Sequence, residues 1–531
     1  MAVLSIDVPL LKKMVMNGAI NLKNHRQEVD ELNVFPVPDG DTGTNMQMTV
    51  MSGVREMNNC QSISIVEVAK ILSRGCLMGA RGNSGVILSQ FFRGVYVAIK
   101  EINKDTLDKY DFLNVLISGY KVAYKAVMEP VEGTILTVVR EAACNTELKK
   151  DEFNDIVELL SYYLEEAKKS LANTPNLLPV LKEAGVVDSG GTGFVRIIEG
   201  MLLALQGKMI DSEDNKHTEK KVEFTYCLEF ILELNRPDNF NEADLKSPLS
   251  LLGDTLITNL DENIYKLHIH TNKPGRIVDY AQRYGEFRAI KIENMKIKHT
   301  ELDGGVYSKK PKKKYALIAV CFGDGISQTF KDLGVDYVIE GGQTMNPSTN
   351  DFVDAVNKVN ASNVIIIPNN SNVIMAAEQS ISLCKDTTVR VLKAKTIAQG
   401  YASLMVYDQN VSIDDNIKEM SEAIKHVGSG ELTYSIRDTE INGVKIEVDD
   451  YIGIGNGNIV AASKNKEEVA KALLKNLVKE DSEIVTIFYG NEGSKDEAEV
   501  LANYCNELTP DIDVEIIEGK QDIYSYIIAV E

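Results

Sequence analysis

Over residues 1–206 apolar side chains recur at spacings of three and four, as in Leu11, Met14, Val15, Gly18 and Leu22, the period of helices that bury one face. The stretches 153–172 and 194–206 continue that period. Glycine-rich loops interrupt it around 38–45, 79–85, 130–134 and 185–193, which a plain helical bundle does not require. The segment QGKMIDSEDNKHTEKK (206–221) is polar and aperiodic and predicts a linker. From Val222 to about Leu302 the runs FTYCLEFILEL and NIYKLHIHT alternate as strands do, with a helix around 274–284, which predicts a small α+β module. SKKPKKKY (308–315), with five lysines and a proline, fits a solvated hinge better than a lipid-headgroup patch. Beyond it the runs ALIAVCF, DYVIEG, NVIIIP, VRVLKA, EIVTIFYG and IYSYIIAVE alternate with amphipathic helices, the pattern of an open α/β sheet. Three domains follow: 1–206, 222–305 and 315–531.

Composition narrows the function classes. The 531 residues carry 57 Lys plus Arg against 78 Asp plus Glu, and a net charge of −21 argues against nucleic acid as a partner. Seven scattered cysteines without a C-x-x-C pair fit a reducing cytoplasm. No apolar run reaches the roughly 20 residues that cross a bilayer, and no h-region follows a basic start, so a cytoplasmic protein that neither spans a membrane nor is secreted is expected.

VFPVPDGDTGTNM (34–46) is the most informative loop. Asp39 and Asp41, two residues apart, can turn both carboxylates to one point, where they repel unless a cation lies between them, and hard oxygen ligands suit Mg²⁺. Thr42, Gly43, Thr44 and Asn45 then supply donors where a helix should begin, a position that favours phosphate. An Asp-Gly turn with capping threonines accounts for the same residues without a ligand. MGARGNSGVILSQFF (78–92) sets Gly79, Gly82, Asn83, Ser84 and Gly85 before an apolar helix, although no Gly-Lys-Ser/Thr follows and it is not a Walker A loop. Thr134 in MEPVEGTILTVV and Asp188 with Gly190 in KEAGVVDSGGTGF repeat the theme. Four such loops form either one nucleotide-binding rim or four unrelated turns.

With these motifs, residues 1–206 resemble the nucleotide-binding subunit of the dihydroxyacetone kinases, and the whole chain is similar to the A subunit of bacterial fatty acid kinases. The resemblance implies a multidomain protein: an all-α eight-helix barrel, a small α+β middle domain and an α/β domain like the DegV lipid-binding proteins. It implies ATP and ADP as ligands, with two Mg²⁺ ions held by a carboxylate cluster to which Asp39 and Asp41 belong. The dihydroxyacetone kinases use a third aspartate slightly upstream, where Asn33 is the polar candidate. It puts Thr44, Asn45, Ser84 and Gly85 near the phosphates, and Thr134, Asp188 and Gly190 nearer the rest of the nucleotide, while Gly82 and Asn83 belong to the same expected nucleotide-binding set through their place in the loop before the helix. A fatty acid carboxylate, presented by a separate DegV-like fatty-acid-binding subunit, would then accept the γ-phosphoryl to give an acyl phosphate. A homodimer is entertained as the oligomeric state. Two rivals remain: a kinase subunit for a small ketone such as dihydroxyacetone, and a non-enzymatic lipid-responsive regulator.

In IYKLHIHTNKPGR (264–276), His268 and His270 lie two apart on a predicted strand and share a face, and Cys227 lies on another predicted strand of that module. Such spacing also suits ordinary sheet residues. The resemblance adds a Zn²⁺ site on these three, with Arg276 near a phosphate or carboxylate, and all four join the expected catalytic set with Asp39 and Asp41. GGQTMNPST (341–349) lies where DegV-like proteins hold a fatty acid carboxylate; a simple turn or a docking platform for a partner stays equally open.

Overall fold

The computed structural model of the protein describes residues 2–33, 40–210, 225–235, 240–249, 252–261, 263–294, 312–341, 346–435, 438–441 and 444–531. Its first part is helical: α1 (Val8–Asn24), α2 (Arg26–Glu31), α3 (Thr42–Asn59), α4 (Ile65–Met78), α5 (Gly82–Ile102), α6 (Lys109–Ala126), α7 (Ile135–Leu148), α8 (Ile156–Leu177), α9 (Pro179–Glu183) and α10 (Ser189–Leu205). Asp7 starts α1 by accepting from the Leu10 N–H at 2.9 Å, and the predicted stripe of Leu11, Met14, Val15 and Leu22 is buried. These side chains join Val50, Leu72, Phe91, Tyr163 and Phe194 in one core. The first and last helices of this part are neighbours. They approach so closely that a Cβ on Gly200 would lie 2.5 Å from the Asn17 carbonyl oxygen and 2.7 Å from the Gly18 Cα.

The chain forms two compact units, Met1–Glu213 together with Lys312–Glu531, and Asp214–Pro311. The smaller unit contains β1 (Tyr226–Leu234), α11 (Glu242–Leu249), β2 (Gly253–Asp261), β3 (Ile264–Thr271), α12 (Pro274–Ala281) and β4 (Gly285–Asn294). Its sheet is antiparallel in the order β2-β3-β1-β4. Leu228, Phe230 and Leu232 with Leu267 and Ile269 bury one face under Leu245, Leu249 and Ile277 of the helices. The alternating runs predicted β1 and β3. In β4 the apolar residues Phe287 and Ile290 fall out of period two because the pairing with β1 skips a residue between Ile231 and Leu232, a bulge that hides the strand from pattern reading.

The C-terminal module departs from the single open sheet expected for it. A four-stranded parallel sheet, order β6-β5-β7-β8, is built from β5 (Lys313–Cys321), α13 (Asp324–Asp332), β6 (Tyr337–Glu340), α14 (Thr349–Val359), β7 (Ala361–Ile367), α15 (Ser371–Ile381) and β8 (Thr388–Val391). A second sheet has six strands in the order Asn458–Ser463, Tyr451–Gly455, Gly428–Tyr434, Tyr526–Val530, Ile484–Tyr489, Asp513–Glu518. Only its last pair is parallel. Its antiparallel half comes from GSGELTY and YIGIG, whose glycines break the apolar runs that mark a buried strand, and from the short NIVAAS, whose apolar run is only four residues long.

The contact between α1 and α10 yields a test. Gly200→Ala has no room for its methyl without moving backbone, so it should lower stability by about 1–3 kcal/mol. A fall in the denaturation midpoint of the helical transition, followed by far-ultraviolet circular dichroism, checks it.

Candidate functional site at four helix N-termini

α3, α5, α7 and α10 all begin with the glycine loops singled out in the sequence, and close contacts link their N-terminal turns in series. A Cβ on Gly82 would lie 2.5 Å from Asn45 Nδ2, and one on Gly85 would lie 2.4 Å from Thr49 Oγ1, which ties α5 to α3. A Cβ on Gly193 would lie 2.7 Å from Met46 Sδ, which sets the start of α10 beside that of α3. Asp188 caps α10 by accepting from the Gly191 N–H at 2.6 Å and also accepts from the Ile135 N–H, joining α10 to α7. The first amides of a helix lack intrahelical acceptors, so four helix starts in one chain of contacts concentrate N–H donors and positive dipole ends.

Asp41 stands at the head of α3, 7% exposed. Burial pushes its carboxyl up to about 6, and the charge of Asp30 adds to the rise. Hydrogen bonds from Asn45 and Asn346 act in the other direction, the latter at 2.6 Å from Nδ2 to Oδ2. Asp30 was not recognised in the sequence. It accepts from the Thr44 N–H at 2.9 Å and from Thr44 Oγ1 at 2.8 Å, and so caps α3 from a different helix. Its carboxyl is itself raised, chiefly by burial. A cap normally precedes its helix directly, and no local pattern marks one fourteen residues away. Asn33 is buried and gives its N–H to the Asp30 carbonyl oxygen at 3.1 Å. Asp39 lies outside the described residues.

The remaining expected residues divide by partner. Thr42 and Gly43 are buried in the first turn of α3, and the Thr44 hydroxyl is committed to Asp30. Gly82 has φ +57°, a value that favours glycine, and opens α5 beside Asn83, Ser84 and Gly85. Thr134 Oγ1 donates to the Val131 carbonyl oxygen at 2.7 Å, and Gly190 lies in the first turn of α10. Burial also lifts the Asp188 carboxyl to about 6 against its two N–H donors.

Sequence reading also missed the junction between this rim and the C-terminal module. Arg81 Nη1 donates to the Asn346 carbonyl oxygen at 2.6 Å and lies 3.6 Å from Asp351 Oδ2. Arg81 forms a β-bridge with Ser348, and the Thr349 N–H reaches the Ala80 carbonyl oxygen at 3.1 Å. Asn83 Nδ2 donates to Asn372 Oδ1 at 3.2 Å, and Ala80 and Val86 are buried with Val320, Phe352 and Val373. The described part of the GGQTMNPST segment therefore packs on the helical domain. Its Ser348 hydroxyl donates to Asp351 Oδ2 at 2.8 Å within a capping box.

In the smaller unit the register sets Cys227 opposite His270, and Glu229 opposite His268, so these four positions share the sheet face away from Leu228 and Phe230. The side chains of Cys227 and His268 lie outside the described ones, and among the described residues no group of three His, Cys, Asp or Glu side chains stands close enough to hold a metal. Arg276 is exposed in the first turn of α12. Among the described residues no helix is long and apolar enough to cross a membrane.

Comparison with known proteins agrees with this architecture. Residues 36–203 match the DAK2 domain, which makes the chain a kinase-type protein. Residues 223–302 match the middle domain, and residues 316–531 the C-terminal domain, of proteins like the A subunit of fatty acid kinase, and the chain belongs to that family. It is 44% identical over 558 residues to Protein YloV of Bacillus subtilis, covering 100% of both chains. It is 41% identical to an uncharacterized protein of Staphylococcus saprophyticus, covering 99% of each. Among solved structures, the Fatty Acid Kinase (Fak) B3 protein of Streptococcus pneumoniae, loaded with linoleic acid, matches with TM-score 0.30, 11% identity, 41% of this chain and 98% of that one. The dihydroxyacetone kinase of C. freundii in complex with AMP-PNP and Mg²⁺ matches with TM-score 0.29, 14% identity, 41% of this chain and 48% of that one.

Asp30 offers a test of the site's construction. Asp30→Ala should cost about 1–2 kcal/mol of stability, the value of a helix cap, by stranding Thr44. The unfolding midpoint of the helical domain measures it, and Asp30→Asn, which keeps one acceptor, should fall between the alanine variant and the parent.

Proposed function

We propose that this chain is the nucleotide-bearing subunit of a fatty acid kinase, transferring the γ-phosphoryl group of ATP to a fatty acid carboxylate held by a separate fatty-acid-binding subunit. The observation that carries this reading is the chain of contacts joining four helix N-termini, with buried Asp41 at the head of one of them. The donor set fits magnesium: Asp41 is a hard oxygen ligand in a desolvated setting beside a second carboxylate, where a divalent cation offsets the cost of ionisation, and Asp39 and Asn33 are the other ligands we assign. When bound, magnesium supplies charge compensation to the phosphate oxygens.

This chain's own residues then bind and orient. First-turn amides of α5, at Gly82 to Gly85, hold the phosphates beside Thr42 to Asn45 at the head of α3, where the Gly43 and Thr44 N–H groups are taken by Asp30 and the Asn45 N–H by the Asp41 carbonyl oxygen, and the absence of side chains at Gly82 and Gly85 lets the phosphates come close. Thr134, Asp188 and Gly190 flank the rest of the nucleotide. A carboxylate oxygen of the fatty acid attacks the γ-phosphorus in line, the new O–P bond forms as the bond to the β,γ-bridging oxygen breaks, and the electron pair leaves with ADP. No proton moves. The acceptor is already ionised at neutral pH, so the absence of a general base from these roles is consistent with the chemistry.

We assign Cys227, His268 and His270 to a Zn²⁺ site in the middle domain, with Arg276 serving an anionic group. One thiolate and two imidazoles suit zinc and leave a fourth position, and the β1–β3 register supports the assignment by setting the three positions on one sheet face.

Three tests check these readings. Asp41→Ala should abolish formation of hydroxylamine-labile acyl phosphate from labelled ATP while leaving the helical unfolding midpoint unchanged or higher, since a desolvated carboxylate is removed. Ser84→Ala should only raise the ATP requirement, about fivefold for one hydrogen bond of roughly 1 kcal/mol. Elemental analysis should find zinc in the purified chain and none after His268→Ala and His270→Ala are combined.

A further inference from the structure

Asn346 comes from the C-terminal module, yet it holds Asp41 together with Asn45 of α3. It is 1% exposed, and its Nδ2 lies 2.6 Å from Asp41 Oδ2. Its backbone is fixed on the other side by Arg81, which donates to its carbonyl oxygen at 2.6 Å while Asp351 lies 3.6 Å from the same guanidinium nitrogen. The residue is thus held from both ends. Its Oδ1, by contrast, is buried with no hydrogen-bond partner among the described residues, and a Cβ on Gly82 would stand 3.5 Å from its Nδ2. A buried acceptor without a partner is costly, and beside a carboxylate and a helix start it marks a position for a ligand group.

We propose that Asn346 is a positioning residue of the nucleotide site, supplied by the C-terminal module, which orients Asp41 for magnesium and turns its own amide oxygen to the bound cation–nucleotide pair. The inference rests on the assignment of Asp41 as a magnesium ligand. A carboxylate oxygen has two lone pairs, so the amide hydrogen bond and a metal bond coexist on it. Hydrogen bonds to ligating carboxylates fix their orientation, and losing one typically costs 10–100-fold in metal affinity. Arg81 acts one step further out, by fixing the Asn346 backbone. The kinase-type domain is on this account incomplete without the C-terminal module, because part of its site is built from residue 346.

The test uses full-length protein and titrates Mg²⁺ against ATP binding and against ATP-dependent acyl phosphate formation. Asn346→Ala should raise the Mg²⁺ requirement 10–100-fold, with turnover recovering at saturating Mg²⁺. Arg81→Ala should move it in the same direction by a smaller factor, and it provides the reading if Asn346→Ala does not fold. A contact that only joins the domains would lower the melting temperature and leave the Mg²⁺ titration where it was. That outcome, with Mg²⁺-dependent ATP binding abolished in Asp41→Ala, overturns this inference alone. Tighter Mg²⁺–ATP binding in Asn346→Ala also overturns it, since Asn346 would then be a latch that holds Asp41 away from the metal. Mg²⁺-dependent ATP binding that survives Asp41→Ala removes the site assignment itself.

Discussion

A carboxylate taken out of water at the start of a helix must be compensated, and the arrangement around Asp41 follows from that requirement. Burial raises its proton affinity, and Asp30, a half-buried carboxylate, raises it further. The chain lowers the cost from three directions: a side-chain donor from Asn45 in the same helix, a donor from Asn346 in the other module, and the positive end of α3. Asp30 is occupied in turn with both donors of Thr44, so the capping of α3 and the electrostatics of Asp41 form one network. Close packing then places α5 and α10 beside this head, because Gly82, Gly85 and Gly193 leave no room for a side chain between them and α3.

Such a network has a consequence for how the domains communicate. The junction of the helical domain with the C-terminal module runs from Ala80 and Arg81 to Asn346, Ser348 and Thr349, and it meets the Asp41 network at one amide group. Apolar packing of Ala80 and Val86 against the parallel sheet holds the two together behind that contact. A structural change in the segment preceding α14 therefore has a short physical route to the head of α3.

The parts of this arrangement that repeat locally could be read in the sequence. The spacing of Leu11, Met14, Val15 and Leu22 announces a helix with one buried face, and the four glycine loops before apolar runs announce helix starts, which the structure links in series. The parts that depend on distant pairing could not. Asp30 looks like an ordinary helical acid until the fold brings Thr44 to it, and Arg81 and Asn346 are 265 residues apart. Strands such as β4, where a bulge breaks the alternation, and the glycine-broken segments of the six-stranded sheet lack the period on which strand reading depends.

The central claim is that a fatty acid carboxylate attacks the γ-phosphorus at this site, and the fate of the carboxylate oxygens tests it most directly. Purified protein, Mg²⁺–ATP and the fatty-acid-binding subunit would be given a fatty acid carrying ¹⁸O in both carboxylate oxygens, and the product trapped with hydroxylamine. Attack by the carboxylate leaves one labelled oxygen bridging carbon and phosphorus, and hydroxylamine, cleaving at the carbonyl carbon, releases it in inorganic phosphate. The account predicts fatty hydroxamate formed together with phosphate that carries one ¹⁸O. Unlabelled phosphate with no hydroxamate, under conditions where ATP is consumed, would contradict it.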